Sequence, residues 1–250
     1  MKISTQNLTV SFNNRKILNN ISFSINSGEM IGIIGPNGSG KSTLLNSIVG
    51  LINPQKGKIF LNDKDITLIN KRKLAKKITI IGQNIPLDIH CKSYDIVMLG
   101  RLPHLGPFEF ETKHDFNVVK KMMLFTDTWQ FKDRVFSELS AGEQQRLLIA
   151  KALATESECL LLDEPTSHLD INQSVNILDL LIKISKENNI AVVMVLHDLN
   201  LALAYPQKIL AIKDGFLKYE GAPNAMTSKD FLKDIYGIEN YKIDSIWKRD

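Results

Sequence analysis

The sequence predicts an α/β protein that has a mixed sheet at its core, an antiparallel β lobe and an inserted helical lobe. Three observations support this fold class. Segments near the N-terminus alternate apolar and polar residues, as half-exposed strands do. Apolar runs at 30–34, 159–162 and 191–196 predict buried strands, and helix-like stretches separate them. The 250 residues are enough for one large domain, and we expect 1–250 to form a single unit.

The antiparallel lobe is predicted at the start of the chain. Residues 3–10 and 21–25 alternate, and Asn13-Asn14 marks a turn between them, so a hairpin is expected. Phe12 ends its first strand. An aromatic face at this position could stack on a purine, or it could be a piece of core, and both interpretations stay open. Further strands are predicted at 58–62 and 78–82.

A glycine-rich loop follows the run at 30–34 and precedes a helix-like stretch at 44–49. Its spacing of Gly, Lys and Ser is typical of a phosphate-binding loop. The alternative interpretation is a glycine-rich turn that only caps the helix. Glycines let backbone N–H groups wrap an anion at the N-terminus of a helix. The loop consists of Gly35, Pro36, Asn37, Gly38, Ser39, Gly40, Lys41, Ser42 and Thr43.

Two side chains of this loop have predicted chemistry. Lys41 can reach the β- and γ-phosphates of a nucleotide, and the Ser42 hydroxyl is placed to ligate a Mg²⁺ ion that bridges them.

From about 84 to 154 the chain is predicted to form the inserted helical lobe, with helices at 115–125 and 144–154. The second helix is preceded by Leu139-Ser140-Ala141-Gly142-Glu143. Ser140 and Glu143 have the spacing of a capping box, a common device that by itself indicates only a helix start.

Polar side chains follow two of the apolar runs. Asp163 and Glu164 come after 159–162, and His197 comes after 191–196. Strand alternation would direct Asp163 and Glu164 to opposite faces, so that one could face a magnesium shell and the other a water. The alternative to a functional site is that Asp163 and Glu164 are solvated loop residues and that His197 has a structural role. Ligand sites of open α/β sheets form where strand ends meet, which favours a site.

Composition and charge exclude several classes of protein. The 31 Lys and Arg against 27 Asp and Glu give a net charge of only +4, which does not indicate nucleic acid. We expect a cytoplasmic protein, since no signal-peptide core or 18-residue apolar run occurs. Cys91 and Cys159 form no C-x-x-C pair, so neither a disulfide framework nor a zinc site is indicated.

Taken together, these motifs resemble the ATP-binding subunit of an ATP-binding cassette (ABC) transporter over essentially the whole chain. The signature differs from the commoner LSGGQ at Ala141 and Glu143 but keeps Ser140 and Gly142. The matched motifs are Walker A at Gly35–Thr43, the Q-loop at Gln83, the signature at Leu139–Glu143, Walker B at Leu160–Glu164, the D-loop at Ser167–Asp170 and the switch histidine at His197.

The resemblance implies the P-loop NTPase fold of ABC ATPases, ATP hydrolysis and a Mg²⁺ ion. Ser42, Gln83 and Asp163 would organise that ion directly or through water. Glu164 would polarise the attacking water, and His197 would steady the γ-phosphate and Glu164. Ser140 and Gly142 would face the ATP held by the opposite subunit of a head-to-tail homodimer.

Four further segments carry a more detailed sequence resemblance. They are 95–104, DEPTSHLD at 163–170, 197–202 and Tyr236-Gly237. These segments resemble the importer subfamily for iron–siderophore, haem and vitamin B12 uptake, in which molybdate is a further possible cargo. The resemblance implies two integral-membrane permease subunits, a substrate-binding protein, no nucleic acid and a position on the cytoplasmic face of the cell membrane. It also implies that 100–104 contacts the permease, and we expect the Arg101 guanidinium to lie at that surface.

Two rival functions remain. A soluble ABC ATPase without a permease would be expected to have a coiled-coil insertion, tandem cassettes or a basic face, and none is visible in the sequence. A protein that uses ATP binding only as an assembly switch would not need both Glu164 and His197.

Overall fold

The structure is a computed structural model that describes residues 1–13, 15–82 and 90–238. It contains two sheets and, on the described residues, a set of α-helices that mostly follow the predicted order. In chain order the elements are β1 (Lys2–Phe12), β2 (Arg15–Asn26), β3 (Met30–Ile34), α1 (Lys41–Ile48), β4 (Lys56–Leu61), β5 (Lys64–Asp65), α2 (Lys71–Ala75), β6 (Ile78–Ile81), α3 (Ser93–Met98), α4 (Lys113–Phe125), α5 (Ala141–Ala154), β7 (Cys159–Asp163), α6 (Ile171–Asn188), β8 (Ala191–Val195), α7 (Leu199–Ala204), β9 (Lys208–Lys213), β10 (Phe216–Gly221) and α8 (Lys229–Tyr236).

The larger sheet has the order β10-β9-β3-β8-β7-β6. The strands from β9 to β6 are parallel, and β10 pairs antiparallel with β9 at one edge. The central strands are buried on both faces. In β8, for example, Val192 and Met194 join one apolar cluster, and Ala191, Val193 and Val195 join the other. This explains why these strands appear in the sequence as continuous apolar runs and do not alternate.

The smaller sheet has the order β2-β1-β4-β5 and is antiparallel throughout. Its alternating residues pack Ile3, Leu8 and Ile21 into the apolar cluster that also contains Leu44 and Leu45 of α1. The predicted hairpin and mixed sheet are therefore confirmed, and they have the architecture of the predicted fold class.

Helices α3, α4 and α5 follow one another between β6 and β7 and pack on each other. The predicted helices at 115–125 and 144–154 are confirmed as parts of α4 and α5. The predicted lobe from 84 to 154 begins in residues that the structure does not describe, so that boundary stays a prediction. Within the described residues, no helix has both the length and the apolar character needed to cross a membrane.

Arg101 is not a surface residue, so its expected place at a permease-facing surface is wrong. Its side chain is 2% exposed. Nε donates to Asp115 Oδ1 at 2.8 Å, and Nη1 donates to the Ala154 carbonyl and to Glu156 Oε2, both at 2.7 Å. The guanidinium thus joins the start of α4 to the end of α5, because acceptors far apart in sequence converge on it.

Arg101→Ala should lower the free energy of unfolding by on the order of 3–5 kcal/mol, because it leaves the Asp115 carboxylate buried without its cation. Urea denaturation at pH 7 measures this change. Arg134→Ala is the matched control: that guanidinium is exposed and donates to the Glu138 carbonyl, so about 1 kcal/mol or less is expected. Equal losses in both variants would contradict a structural role specific to Arg101.

The stability conferred by Asp115 should depend on pH. Burial opposes ionisation of this carboxyl, but hydrogen bonds from Thr112 and Arg101 outweigh it and hold the pKa well below its ordinary value. The folded state then favours the ionised form, so the contribution is present above the unfolded pKa of about 4 and is lost as the pH falls below it. The difference in stability between wild type and Arg101→Ala should therefore narrow below about pH 4.

Candidate active site

The loop between β3 and α1 has a backbone that only glycine can adopt at two positions. Gly35 has a φ of +144°, and a Cβ atom there would lie 1.9 Å from the Ile212 carbonyl oxygen of β9. Gly40 has a φ of +105°, and a Cβ atom there would lie 2.6 Å from Leu18 Cδ2. Side chains are therefore excluded where the loop passes β9 and the N-terminal hairpin.

The centre of this loop offers donors to an anion. Gly40 precedes α1 and supplies no side-chain cap, which leaves the first N–H groups of the helix directed towards the loop. Lys41 is 6% exposed, and its Nζ donates to the carbonyls of Gly35 and Pro36, both at 2.9 Å. Burial lowers the Lys41 pKa, while Glu164 and Asp163 oppose that shift. The arrangement holds a cation at the concave side of the loop.

Asp163 ends β7 beside the loop. The Ser42 hydroxyl lies near its carboxylate, and the buried Oδ1 has no hydrogen-bond partner within the described part of the chain. Burial raises the Asp163 pKa, opposed by Ser42, Lys41 and His197. An orphaned carboxylate oxygen next to a hydroxyl suits a hard divalent cation such as Mg²⁺, which takes oxygen ligands.

That cation would need the nucleotide as well as the protein. Among the described residues, no group of three or more His, Cys, Asp and Glu side chains could hold a metal ion. A Mg²⁺ ion that uses one or two protein oxygens and the substrate phosphates fits this donor set.

Glu164 and His197 meet at the neighbouring strand ends. β7 and β8 pair in parallel with Asp163 opposite Val195, which brings the residues after each strand together. His197 Nε2 lies 2.5 Å from Glu164 Oε1. Glu164 itself has a φ of +56° and follows the last residue of β7, so the strand alternation used to orient it does not extend that far. A left-handed, non-glycine residue at such a position is typical of functional sites.

These groups line one cleft of about 710 Å³. Phe12 is 48% exposed and lines it, which favours a stacking surface over a piece of core. The lining residues are Phe12, Arg15, Ile17, Asn37, Gly38, Gly40, Lys41, Ser42, Thr43, Glu164 and His197. Arg15 and Ile17 were not predicted as site residues. Arg15 pairs with Phe12 across the hairpin turn. The predicted hairpin could therefore have indicated that Arg15 lies beside Phe12 at the site.

The remaining predicted site residues lie elsewhere or show other contacts. Ser39 is buried in the loop, and its Oγ has no hydrogen-bond partner among the described residues. Ser140 caps α5 in a capping box with Glu143, but neither Ser140 nor Gly142 lines the cleft. A Cβ atom on Gly142 would lie 2.9 Å from Gln173 Oε1 of α6. Gln83 lies outside the described residues.

Comparison with known proteins agrees with this geometry. Residues 18–167 match the family model described as ABC transporter. The ferric enterobactin transport ATP-binding protein FepC of Escherichia coli is 33% identical over 97% of this chain and 90% of that protein. The cobalamin import ATP-binding protein BtuD of Halobacterium salinarum is 34% identical over 93% of this chain and 58% of that protein.

Two solved structures share the fold. One is an inward-facing ABC transporter described as of the metal-chelate type, with a TM-score of 0.83 and 29% identity over 94% of this chain and 88% of that one. The other is the dimeric ATP-binding cassette MJ0796 in a post-hydrolysis state with ADP and phosphate, with a TM-score of 0.76 and 28% identity over 88% of this chain and 98% of that one. The chain therefore belongs to the ABC transporter family, as one of its ATP-binding, ATP-hydrolysing cassettes.

Proposed function

We propose that this cassette powers an importer that carries an iron–siderophore type of metal chelate across the cell membrane. The observation that carries the proposal is the convergence of Lys41, Glu164 and His197 on one cleft, in a chain whose relatives serve import. In this role the protein lies at the cytoplasmic face of the membrane and never touches the cargo.

The proposed chemistry assigns a task to each side chain. Lys41 Nζ exchanges the carbonyls of Gly35 and Pro36 for phosphate oxygens, and the loop N–H groups of Gly38 to Thr43 bind the same anion. Glu164 orients and polarises the water that attacks the γ-phosphorus. His197 holds the Glu164 carboxylate through Nε2 and steadies the terminal phosphate. Phe12 supplies an apolar face for the purine.

The metal assignment follows the same residues. Ser42 and Asp163 would hold Mg²⁺, together with Gln83 directly or through water. When bound, the ion neutralises charge on the β- and γ-phosphate oxygens. The support is that the Ser42 hydroxyl lies near the Asp163 carboxylate and that the buried Asp163 Oδ1 has no hydrogen-bond partner among the described residues.

A homodimer would complete the site. Ser140 caps α5 and Gly142 lies in its first turn, both outside the cleft of their own chain, so the Ser140 hydroxyl and the Gly142 N–H group would face a nucleotide held by a second copy. The Ser140 N–H itself donates to Glu143 Oε2 within the capping box. Such donors stabilise the negative charge that gathers in phosphoryl transfer. A dimeric cassette with ADP and phosphate is among the similar structures, which supports this arrangement.

The permease surface is proposed at an apolar groove of about 460 Å³. Its walls are the loop after α1, strand β6, helix α5 and the turn at 99–101. Gln83, which lies outside the described residues, comes two residues after β6 in the sequence. Leu51 is 70% exposed and Leu99 is 44% exposed at its rim. Lys71 and Lys151 also line it, so a helical segment with apolar residues and a carboxylate would fit. We therefore assign the permease contact that was predicted for Arg101 to the residues that line this groove. The substrate-binding protein would be reached only through the permease.

The cargo has a specific second candidate. The cobalamin relative is as similar to this chain as the enterobactin relative, so cobalamin import is the alternative. Other chains select the cargo in such importers, which is why haem and molybdate also stay possible. Binding assays on the substrate-binding protein encoded beside this chain would decide among them.

Lys41→Ala should weaken ATP binding by on the order of 10- to 100-fold, because a charge-assisted contact in a buried site is lost. Direct titration of the purified chain with ATP measures the dissociation constant. Lys186→Ala removes an exposed lysine from the last turn of α6 and should leave affinity unchanged. Wild-type affinity in Lys41→Ala would contradict the phosphate loop.

Glu164→Gln should slow hydrolysis by on the order of 10²–10⁴ and spare ATP binding, since shape is kept while the base is lost. A dimer stabilised by ATP should then accumulate, as measured by size-exclusion chromatography with and without ATP. Glu187→Gln, at an exposed position of α6, is the control. Parental turnover in Glu164→Gln would refute the role of Glu164.

Leu51→Ser should spare basal ATPase activity but reduce assembly with, or stimulation by, the permease encoded beside this chain. The reason is that an exposed apolar contact is removed from the groove while the cleft is untouched. Leu124→Ser removes a leucine of α4 that is 55% exposed, and it should change neither property. Basal and permease-stimulated ATPase rates measure the effect. Normal stimulation of Leu51→Ser would rule out this groove as the docking surface.

A further inference from the structure

The positive charge of the chain is concentrated in one short segment. Residues 71–77 have the sequence KRKLAKK, and no Asp or Glu occurs between 66 and 82. The chain has 31 Lys and Arg against 27 Asp and Glu, an excess of four, and this segment alone contains five cations. The rest of the chain therefore has no net positive charge. Of the five cations, only Lys71 has a task in the functions proposed above.

Only one of these cations has an anionic partner among the described residues, namely Lys77, which pairs with Glu158. Lys73 and Lys76 also form no side-chain hydrogen bond there. The four unpaired cations lie on α2 and at its C-cap, and they are Lys71, Arg72, Lys73 and Lys76. All four are at least partly exposed, so this short helix presents positive charge to whatever faces it.

Exposed leucines lie beside the same helix. Leu68 is 73% exposed and lines a cavity of about 590 Å³ together with Lys71. Leu51 lines the permease groove, and Lys71 lines that groove as well. Arg72 Nε donates to the Pro103 carbonyl at 2.8 Å, and Pro103 is a further residue of the groove. The cations and the exposed leucines therefore share one surface of the chain, and this surface borders the groove.

We propose that this basic surface, formed by the cations of 71–76 and by Leu68, binds the anionic lipid headgroups of the membrane that holds the permease. The inference rests on the proposed permease groove, because a groove that receives a permease segment must face the membrane, and α2 borders it. The ammonium and guanidinium groups would bind lipid phosphates, and Leu68 would enter the headgroup region.

A lipid surface accounts for the exposed leucine as well as for the cations. Proteins that bind nucleic acid combine cations with side chains that reach or stack on bases, and no aromatic residue occurs between 61 and 82. Each cation near an anionic membrane contributes roughly fivefold in affinity. A few cations and one leucine thus give reversible binding that adds to the permease contact and does not replace it.

The test is sedimentation of the full chain with vesicles of phosphatidylcholine and phosphatidylglycerol, and with vesicles of phosphatidylcholine alone. Wild type should bind the anionic vesicles at least about tenfold more tightly, and added NaCl should weaken this binding because salt screens the attraction. Lys73→Gln/Lys76→Gln should bind them roughly 10- to 30-fold more weakly than wild type. Equal binding of wild type to both kinds of vesicle would overturn the proposal.

Lys218→Gln/Lys229→Gln is the matched control, since it removes the same charge from exposed positions of β10 and α8. β10 is the edge of the larger sheet opposite to β6, and α8 packs on β9 beside it, whereas α2 packs on β6. This variant should bind anionic vesicles as wild type does. Equal weakening in both double variants would show that only net charge matters, which would contradict a defined surface.

Leu68→Ser tests the apolar part of the surface. It should weaken binding to anionic vesicles about three- to tenfold, because less apolar area leaves water on binding. Leu124→Ser, which removes an exposed leucine of α4, should leave the binding unchanged. A surface that only attracts polyanions would not respond to the loss of Leu68, so wild-type binding by Leu68→Ser would exclude a lipid contact.

Two further outcomes would assign the basic surface to another partner and overturn the proposal. One is tighter binding of a single-stranded oligonucleotide than of anionic vesicles, with loss of that binding in Lys73→Gln/Lys76→Gln. The other is an absence of vesicle binding, combined with loss of permease-stimulated ATPase activity by the same variant in detergent. The first would indicate a nucleic-acid surface, and the second an acidic surface of the permease.

The vesicle assay contains no permease, so this inference and the proposed function can fail separately. If Leu51→Ser loses permease stimulation and wild type does not bind anionic vesicles, the lipid contact fails and the proposed function stands. If wild type binds the vesicles through the basic surface and the permease encoded beside this chain does not stimulate it, the proposed function fails and the lipid contact stands.

Discussion

The close approach of the loop backbone to its two neighbours is the constraint on which the site depends. Gly35 lies against the Ile212 carbonyl and Gly40 against Leu18, at separations that exclude a side chain. The loop is thus fixed between the large sheet and the N-terminal hairpin, and its conformation is set by both. Because the Lys41 side chain is held by carbonyls of the same loop, any shift of Gly35 moves the cation as well.

Strand register then brings the acidic groups and the histidine to the loop. Val195 of β8 pairs with Ile33 of β3 on one side and with Asp163 of β7 on the other. The residues that follow these strands therefore meet at one edge, as they do in open α/β sheets. Burial of β8 on both faces makes a register slip costly, since it would expose apolar residues or bury polar ones.

The sequence predicted those parts of the fold and site that depend on local patterns. The loop at 35–43, the capping box at Ser140 and the strand that ends at Asp163 are short-range features, and each occurs as expected. Arg101 was misplaced because its acceptors come from α4, α5 and Glu156, which no local pattern shows to be close. Arg15 likewise acquires its place beside Phe12 in the cleft only through hairpin register.

Helix α5 offers a physical route between the proposed permease surface and the proposed dimer site. Ser140 caps its first turn, Leu148 and Lys151 line the apolar groove, and the Ala154 carbonyl at its end binds Arg101. A 14-residue helix is about 21 Å long and behaves as a stiff rod over that distance. If a permease docks in the groove and displaces α5, Ser140 moves with the stiff helix, and α4 follows because Arg101 bonds both the Ala154 carbonyl and the Asp115 carboxylate. The side chains proposed to contact the phosphates and water can then stay fixed while the proposed donors of the second subunit are brought in or withdrawn.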